Sequence, residues 1–413
     1  MQATQNSTAL PFAGIRVLEL GHIVAGPAAG QIFADMGAEV IKIESVNGGD
    51  QVRGMPGAMS AMFALLNRNK RSVALDLKGD GAAVFRKLAD TADVIIDNYA
   101  YGAVDRLGLG YDVVSKTNPG IIWLAIKGFL PGPSESRPML DELAQMAGGL
   151  AFMTGSQESP VRAGASVIDI TAAAYGALAV MAALRQREKG DGKGQRIVSG
   201  LYETSVYLVG QWMATAQYDQ APSVPLATMQ QGKRMGFSVY QLFNTADGER
   251  IFIGIMSDAH WKQFCAAFSP DGLGADMRFS TAAGRLAHRP ELNESISVVL
   301  GAHTWKAAMS KLGEANVPHA PIRRPDQLAD ETHLRASGQL LETPLPNGRS
   351  GRLPKLPIRA SGFHMEMHRS APALGADTED VLEELGYSSG TIAALRERGA
   401  IGVHPGNCSE EAL

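Results

Sequence analysis

Asp169 stands directly ahead of a run of small residues, Ile170-Thr171-Ala172-Ala173-Ala174-Tyr175-Gly176-Ala177. An aspartate in that place has two uses. Its carboxylate can cap a helix by accepting from backbone N–H groups of the first turn, or, held in a dry pocket, it can attack a carbonyl carbon as a covalent nucleophile. The pattern leaves both open. A second acid, Glu142, lies upstream in Leu140-Asp141-Glu142-Leu143. His22 lies in a glycine-bearing turn, Gly21-His22-Ile23-Val24-Ala25-Gly26-Pro27-Ala28-Ala29-Gly30, that opens a helix, and helix N-termini with close backbone approach bind anions. These glycines lack the spacing of a dinucleotide fingerprint, and no Lys-Ser or Lys-Thr follows to cradle phosphate. Strand-to-helix geometry is therefore the plainer reading of the turn, and a satisfied turn histidine the plainer reading of His22. A basic cluster, Asn67-Arg68-Asn69-Lys70-Arg71-Ser72, leads into a strand that ends near Lys78, and Arg106 follows in Asp105-Arg106-Leu107-Gly108. Each is either a solvated surface or a site for a phosphorylated ligand.

The elements that must position these residues alternate. Ile15 to Leu20, Glu39 to Ile43, Val73 to Leu77, Asp93 to Ile96 and Ile121 to Ile126 are short β-branched runs, and helical segments such as Ile32 to Met36 and Ala82 to Thr91 separate them. Hydrophobic periodicity switches between 2 and 3.6, which predicts βαβ units and a parallel sheet covered by helices, a doubly wound α/β unit. A long helix is expected from Asp169 to about Glu188, stopped by the glycines of Lys189-Gly190-Asp191-Gly192-Lys193-Gly194. Gln220 to Pro225 suits a linker. Beyond it, Tyr240 to Phe243, the Asp247-Gly248 turn and Ile251 to Ile255 predict a hairpin of a second, α+β unit. The expected organisation is a large domain over 10–220, a small domain over 225–325 and a return to the large domain over 326–400.

Composition bounds the function. The 413 residues are 45% apolar and 19% charged, as in a soluble globular protein, and exceed what a single core usually fills. A formal net charge of −4 provides no global basic field, so neither nucleic acid nor membrane is an expected partner. Cys265 and Cys408, the two cysteines, make neither a disulfide framework nor a zinc cluster. No Lys or Arg occurs from Met1 to Ile15, which lacks the basic start of a targeting peptide, and a cytoplasmic location is expected. The apolar run Ile170 to Leu184 is shorter than the ~20 residues a bilayer needs and is expected to form a buried helix.

Several stretches stand in a telling order: Ala25-Gly26-Pro27, Gly37-Ala38-Glu39-Val40-Ile41-Lys42-Ile43-Glu44, the Asn67 to Ser72 cluster, Asp105 to Gly108, Met153-Thr154-Gly155, Val167-Ile168-Asp169 and Gly192-Lys193-Gly194-Gln195. Together they resemble the class III (CaiB/BaiF) CoA-transferases from about Phe12 to Tyr387. The resemblance implies a Rossmann-like large domain, a smaller inserted α+β domain and a homodimer of interlocked rings. It implies coenzyme A esters as substrates, with no permanently bound cofactor and no metal. The CoA adenosine and phosphates would lie near Leu75, Lys78, Asn98, Tyr99 and Arg106, with Arg71 of the basic cluster added. The thioester would lie near His22, Val24 and Ala25. The nucleophile falls on Asp169 and a supporting acid on Glu142. Asp169 would form an acyl anhydride and then an aspartyl-CoA thioester, with Gly148 and Gly149 backbone donors at the oxyanions.

Departures narrow the expected substrate. Formyl- and oxalyl-handling members carry glutamine where Val24 stands, tryptophan near Met55, and a glycine-run loop that is missing around Gly232 to Tyr240. The style of Gly128 to Leu143 is nearer to members acting on C4 to C6 acids such as itaconate, mesaconate or citramalate, with succinyl-CoA as a common partner. A distal carboxylate would need a cation, for which Arg53, Arg137, Lys233 and Arg234 are candidates. Two other readings are a 2-methylacyl-CoA racemase, which would need a histidine base where Met139-Leu140-Asp141-Glu142 stands, and a non-catalytic acyl-CoA binding protein, which would have no need of a buried nucleophile.

Overall fold

The computed structural model describes residues 10–55, 58–231, 236–269 and 272–404. Its main sheet contains β1 (Arg16–Leu20), β2 (Glu39–Ser45), β3 (Lys70–Leu75), β4 (Val94–Asp97), β5 (Ile122–Lys127) and β6 (Arg196–Gly200). All six run parallel in the order 3-2-1-4-5-6, and Ile401–Gly402 adds an antiparallel edge beside β3. The connecting helices are α1 (Ala25–Asp35), α2 (Ala58–Leu66), α3 (Gly81–Ala89), α4 (Ala103–Arg106), α5 (Tyr111–Thr117), α6 (Asp141–Ala147), α7 (Leu150–Thr154) and α8 (Val167–Lys189).

Period-2 alternation sorts the strand side chains onto two faces, both covered, as a parallel sheet requires. Val17, Val40, Val94, Ile122 and Leu124 pack with α1 and α8. Leu18, Ile41, Val73, Ile95 and Trp123 point the other way, onto Val84, Phe85 and Leu88 of α3. Small residues let α8 lie close on the sheet: a Cβ on Gly176 would stand 3.0 Å from the Leu124 side chain. The strand order reverses where β1 pairs with β2 on one side and β4 on the other. At such a switch point the two crossovers leave in opposite directions, and a crevice opens beyond the carboxyl ends of the strands.

The chain divides into two compact units. The first comprises residues up to Ala151, Arg162–Gln217 and the chain from Ala329; the second comprises Phe152–Val161 and Tyr218–Leu328. The short 152–161 segment thus groups with the second unit, where the sequence reading has it in the large domain. Within the second unit, Val239–Asn244 and Arg250–Ile255 form the expected hairpin, turning through Gly248 at φ 79°. His319–Pro321 completes its sheet, and Phe264, Leu292, Ile296 and Leu312 fill its core. Beyond this sheet the chain forms a 3-10 turn, Pro325–Asp330.

Candidate active site

Helix α8 begins two residues earlier than the sequence suggests, and this changes the standing of Asp169. Val167 is the first helical residue and Ser166 precedes it without a side-chain cap bond. Asp169 is therefore the third residue of the helix. The cap comes from Asp141, whose Oδ2 accepts from the N–H groups of Ile168 (2.8 Å) and Asp169 (3.0 Å). Gln145, one helical turn on, donates to the other Asp141 oxygen and accepts from the N–H of Ala163 at 2.8 Å. Asp141 is 4% exposed and Gln145 fully buried.

The half-buried Asp169 side chain has no hydrogen-bond or ion-pair partner among the described residues. Burial pushes its carboxyl up to about 7, aided first by the Asp141 carboxylate and then by Glu142. The adjacent acid Glu142 faces outward, 3.5 Å from Arg162, with its side chain 52% exposed. The residue that touches the start of α8 is thus Asp141, the neighbour of the Glu142 that the resemblance names. The i, i+4 pair Asp141 and Gln145 is the signal that would have found it. Gly148 is also corrected as an oxyanion donor, since its N–H is taken by the Ala144 carbonyl at 2.8 Å.

The expected CoA-contacting residues fall into three groups. His22, Val24, Ala25, Asn98 and Tyr99 meet at the switch point, beyond the ends of β1 and β4. The Asn98 side chain clasps the His22 backbone, donating to its carbonyl (3.0 Å) and accepting from its N–H (2.9 Å). The Tyr99 ring stacks on His22 with centroids 4.5 Å apart. Burial lowers the His22 imidazole and raises the Tyr99 phenol, which keeps both neutral near pH 7. Gly26 is required for the clasp, because a Cβ there would lie 2.8 Å from the Gly21 Cα and 2.9 Å from Asn98 Oδ1. Close packing, then, explains a glycine of the turn.

A second group, Lys78 and Arg106, is exposed along the same carboxyl edge of the sheet. Arg106 donates to the Tyr101 carbonyl (3.2 Å). Leu75 ends β3 with its side chain in the core, 1% exposed, and its backbone paired with Ile401. It can offer only its chain-end backbone neighbourhood to a ligand.

The third group is the basic cluster, and the structure corrects it. Arg68 is buried against Asp35 at 2.6 Å. Lys70 is the first residue of β3 and is buried against Glu19 at 2.6 Å. Arg71 is held between Glu39 (2.8 Å) and Glu384 (2.9 Å). Three cations that look free in sequence are matched by acids distant along the chain. Arg53 is likewise occupied, forked onto Glu44 and lying over the Phe63 ring at 3.8 Å. Arg137 differs: it is exposed, and with Phe129, Met139, Tyr202 and Glu203 it lines a cavity of about 480 Å³. Lys233 and Arg234 lie outside the described residues.

The family model described as CoA-transferase family III matches residues 12–378. The chain belongs to that family. A formyl-CoA:oxalate CoA-transferase of Rhodopseudomonas palustris is 31% identical over 94% of this chain and 96% of its own length. A succinyl-CoA:glutarate CoA-transferase of Mus musculus is 31% identical over 95% of this chain and 91% of its own. Among solved structures, a CAIB/BAIF family protein from Brucella suis superposes with a TM-score of 0.80 at 27% identity, covering 91% of this chain and all of that one. The protein is a family III CoA-transferase, so acyl-CoA and a carboxylic acid are its substrate classes. The mixed α/β fold with a parallel central sheet is the fold of these relatives. Equal identity to a formyl/oxalate and a succinyl/glutarate enzyme leaves overall similarity silent on which acid is used.

Proposed function

We propose that this family III CoA-transferase moves CoA from succinyl-CoA to a C4 to C6 dicarboxylic or hydroxycarboxylic acid of the itaconate, mesaconate or citramalate type. The observation that carries the chemistry is Asp169: an unpartnered carboxyl, half-buried at the start of α8, with its basicity raised to about 7. A carboxylate of that basicity is a better nucleophile than an ordinary aspartate and still ionises near neutral pH. Its oxygen attacks the thioester carbonyl, the C–S bond breaks, and CoA thiolate leaves an acyl-aspartyl anhydride. The thiolate then attacks the aspartyl carbonyl and expels the donor acid as carboxylate, leaving an aspartyl-CoA thioester. The acceptor carboxylate runs the same two steps in reverse. Asp141 fixes the backbone from which Asp169 projects.

Three features support a dicarboxylate acceptor. Oxalate and glutarate, in the names of the relatives, are both dicarboxylates. Arg137 offers an exposed guanidinium in a cavity. Val24, buried at the entry to α1, provides no polar side chain where formyl- and oxalyl-handling members carry glutamine. A homodimer accords with the apolar side chains left exposed on α8 and on or beside α6, namely Leu140, Leu143, Met146, Ile170 and Leu178. Cytoplasmic location remains part of the proposal.

The test is a mass-spectrometric screen of CoA esters, with succinyl-CoA and formyl-CoA as donors against itaconate, mesaconate, citramalate, glutarate and oxalate. Itaconyl-, mesaconyl- or citramalyl-CoA formed from succinyl-CoA is the expected product. Efficient transfer only between formyl-CoA and oxalate would overturn the substrate assignment. Absence of a hydroxylamine-trappable adduct on the Asp169 peptide during turnover would overturn the mechanism.

A further inference from the structure

Under α1 the sheet carries a buried ionic cluster that adjoins the His22 turn. Lys42, fully buried, donates to Glu19 Oε1 (2.7 Å) and the Gly21 carbonyl (2.8 Å) and pairs with Asp50 Oδ2 (2.9 Å). The Lys42 ammonium thus makes two hydrogen bonds and one ion pair. Lys70 uses all three of its donors, on Glu19 Oε2 (2.6 Å), the Pro27 carbonyl (2.8 Å) and Asn67 Oδ1 (3.0 Å). Two buried ammonium groups joined through Glu19 therefore grip the chain on either side of the turn, at Gly21 and at Pro27. A Cβ on Gly30 would come within 2.0 Å of Glu19 Oε2, so this glycine too serves the cluster.

Between those grips the backbone is strained. Ile23 has φ 65°, a left-handed conformation that a β-branched residue adopts only when its surroundings impose it. What imposes it is Asp50: its Oδ1 accepts from the N–H of Ile23 (3.1 Å) and of Val52 (3.1 Å), while its other oxygen meets Lys42. Its own N–H donates to Glu44 Oε2 at 2.9 Å. Buried ion clusters of this size are poor sources of net stability, because desolvating each ion offsets most of the attraction. Strain held in place by such a cluster, directly beside His22 and Val24, points to a positioning role.

We propose that Asp50, oriented by Lys42 and Glu19, is a positioning residue for CoA transfer: by holding the Ile23 N–H it sets the His22–Ala25 turn in the shape that presents the thioester to the nucleophile. The proposal rests on the reading that the thioester lies at this turn. Asp50 touches no reacting atom in this role.

The test separates placement from charge. Asp50→Glu keeps the charge balance with Lys42 but moves the accepting oxygen by a methylene; Asp50→Asn retains one oxygen for the Ile23 N–H, turns its NH2 toward Lys42 and loses the charge. Exchange of labelled succinate into succinyl-CoA is measured per folded protein, with melting temperature and succinyl-CoA affinity measured alongside. Misplacement of a reacting group by about 1 Å costs up to roughly a hundredfold, so Asp50→Glu is expected to lower kcat at least about tenfold. KM for succinyl-CoA should change much less, and Asp50→Asn should recover most of the rate. Equal rates per folded protein in wild type and Asp50→Glu would overturn the proposal, as would a folded Asp50→Asn no better than Asp50→Glu. Should Asp50→Glu not fold, Asp50→Asn decides alone: a rate within about threefold of wild type supports the proposal and a hundredfold loss overturns it. If wild type itself exchanges no succinate, the donor assignment is what has failed, and the same comparison is run with formyl-CoA and formate.

Discussion

The carboxylate of Asp141 caps the helix on which Asp169 sits. One aspartate does the structural work that the pattern around the other suggested, and it does so from a different helix, 28 residues away in sequence. Asp169 is thereby left without a structural duty that would occupy its oxygens. Replacing Asp141 by alanine leaves the Ile168 and Asp169 N–H groups without their acceptor, so stability should fall by about 1–3 kcal/mol and transfer should fall with it. Glu142→Gln, at an exposed position, should stay within about 0.5 kcal/mol of wild type. Chemical denaturation and succinate exchange on the two variants check the assignment; the reverse order would restore Glu142 as the supporting acid.

Asp169→Asn should abolish transfer by several orders of magnitude, because an amide forms no anhydride. Its effect on stability has a definite sign. The folded-state carboxyl titrates at about 7, above its ordinary value, so between roughly pH 4 and pH 7 the folded protein binds more protons than the unfolded chain. Stability associated with this group is full below the ordinary aspartate range and is lost as pH rises through about 7. The asparagine variant should therefore melt no lower than wild type at pH 5 and higher at pH 8. A variant that melts lower at pH 8 would show that the Asp169 charge is stabilising.

The same titration predicts the rate. Attack requires the carboxylate, so kcat/KM for the CoA ester should rise with pH and level off above about 7. Asp141→Asn removes the like charge that raises Asp169 most, and the rise should move to lower pH. A flat profile from pH 5 to 8 in the wild type would contradict the raised basicity.

Arg106 and Arg71 should part company. Arg106 is exposed, and a charge-assisted phosphate contact is worth about 1.5–3 kcal/mol, so Arg106→Glu should weaken CoA ester affinity roughly ten- to a hundredfold. Arg71 spends its guanidinium on Glu39 and Glu384; Arg71→Ala should lower the melting temperature and leave affinity nearly unchanged. Calorimetric titration with CoA on both variants checks this.

Arg137→Ala should raise KM for a dicarboxylate acceptor and leave a monocarboxylate of equal length unaffected, since only the former presents a second charge to the cavity. Arg53→Ala, which breaks the forked pair with Glu44, should instead destabilise the protein. Comparing succinate with butyrate as acceptor separates the two; equal losses for both acids would remove Arg137 from the acceptor site.

By itself the sequence determined the architecture of the first unit and singled out Asp169 as a residue with two possible uses. Short strand-like runs such as Val17 to Leu20 and Ile41 to Ile43, alternating with helical segments, predict a helix-covered parallel sheet, and the hairpin at Asp247-Gly248 follows from local turn chemistry. These are short-range constraints, written in adjacent residues. What only the tertiary structure decided is the state of each charge. Lys42, Lys70, Arg68 and Arg71 look alike in sequence as basic residues near strand ends, but their fates depend on Glu19, Asp35, Asp50, Glu39 and Glu384, and Glu384 lies 313 residues beyond Arg71. Likewise a helix boundary two residues upstream turned Asp169 from a presumptive cap into an unpartnered acid, because the cap came from Asp141. Electrostatics acts through space, and composition along the chain carries no record of which opposite charge folding will bring within 3 Å.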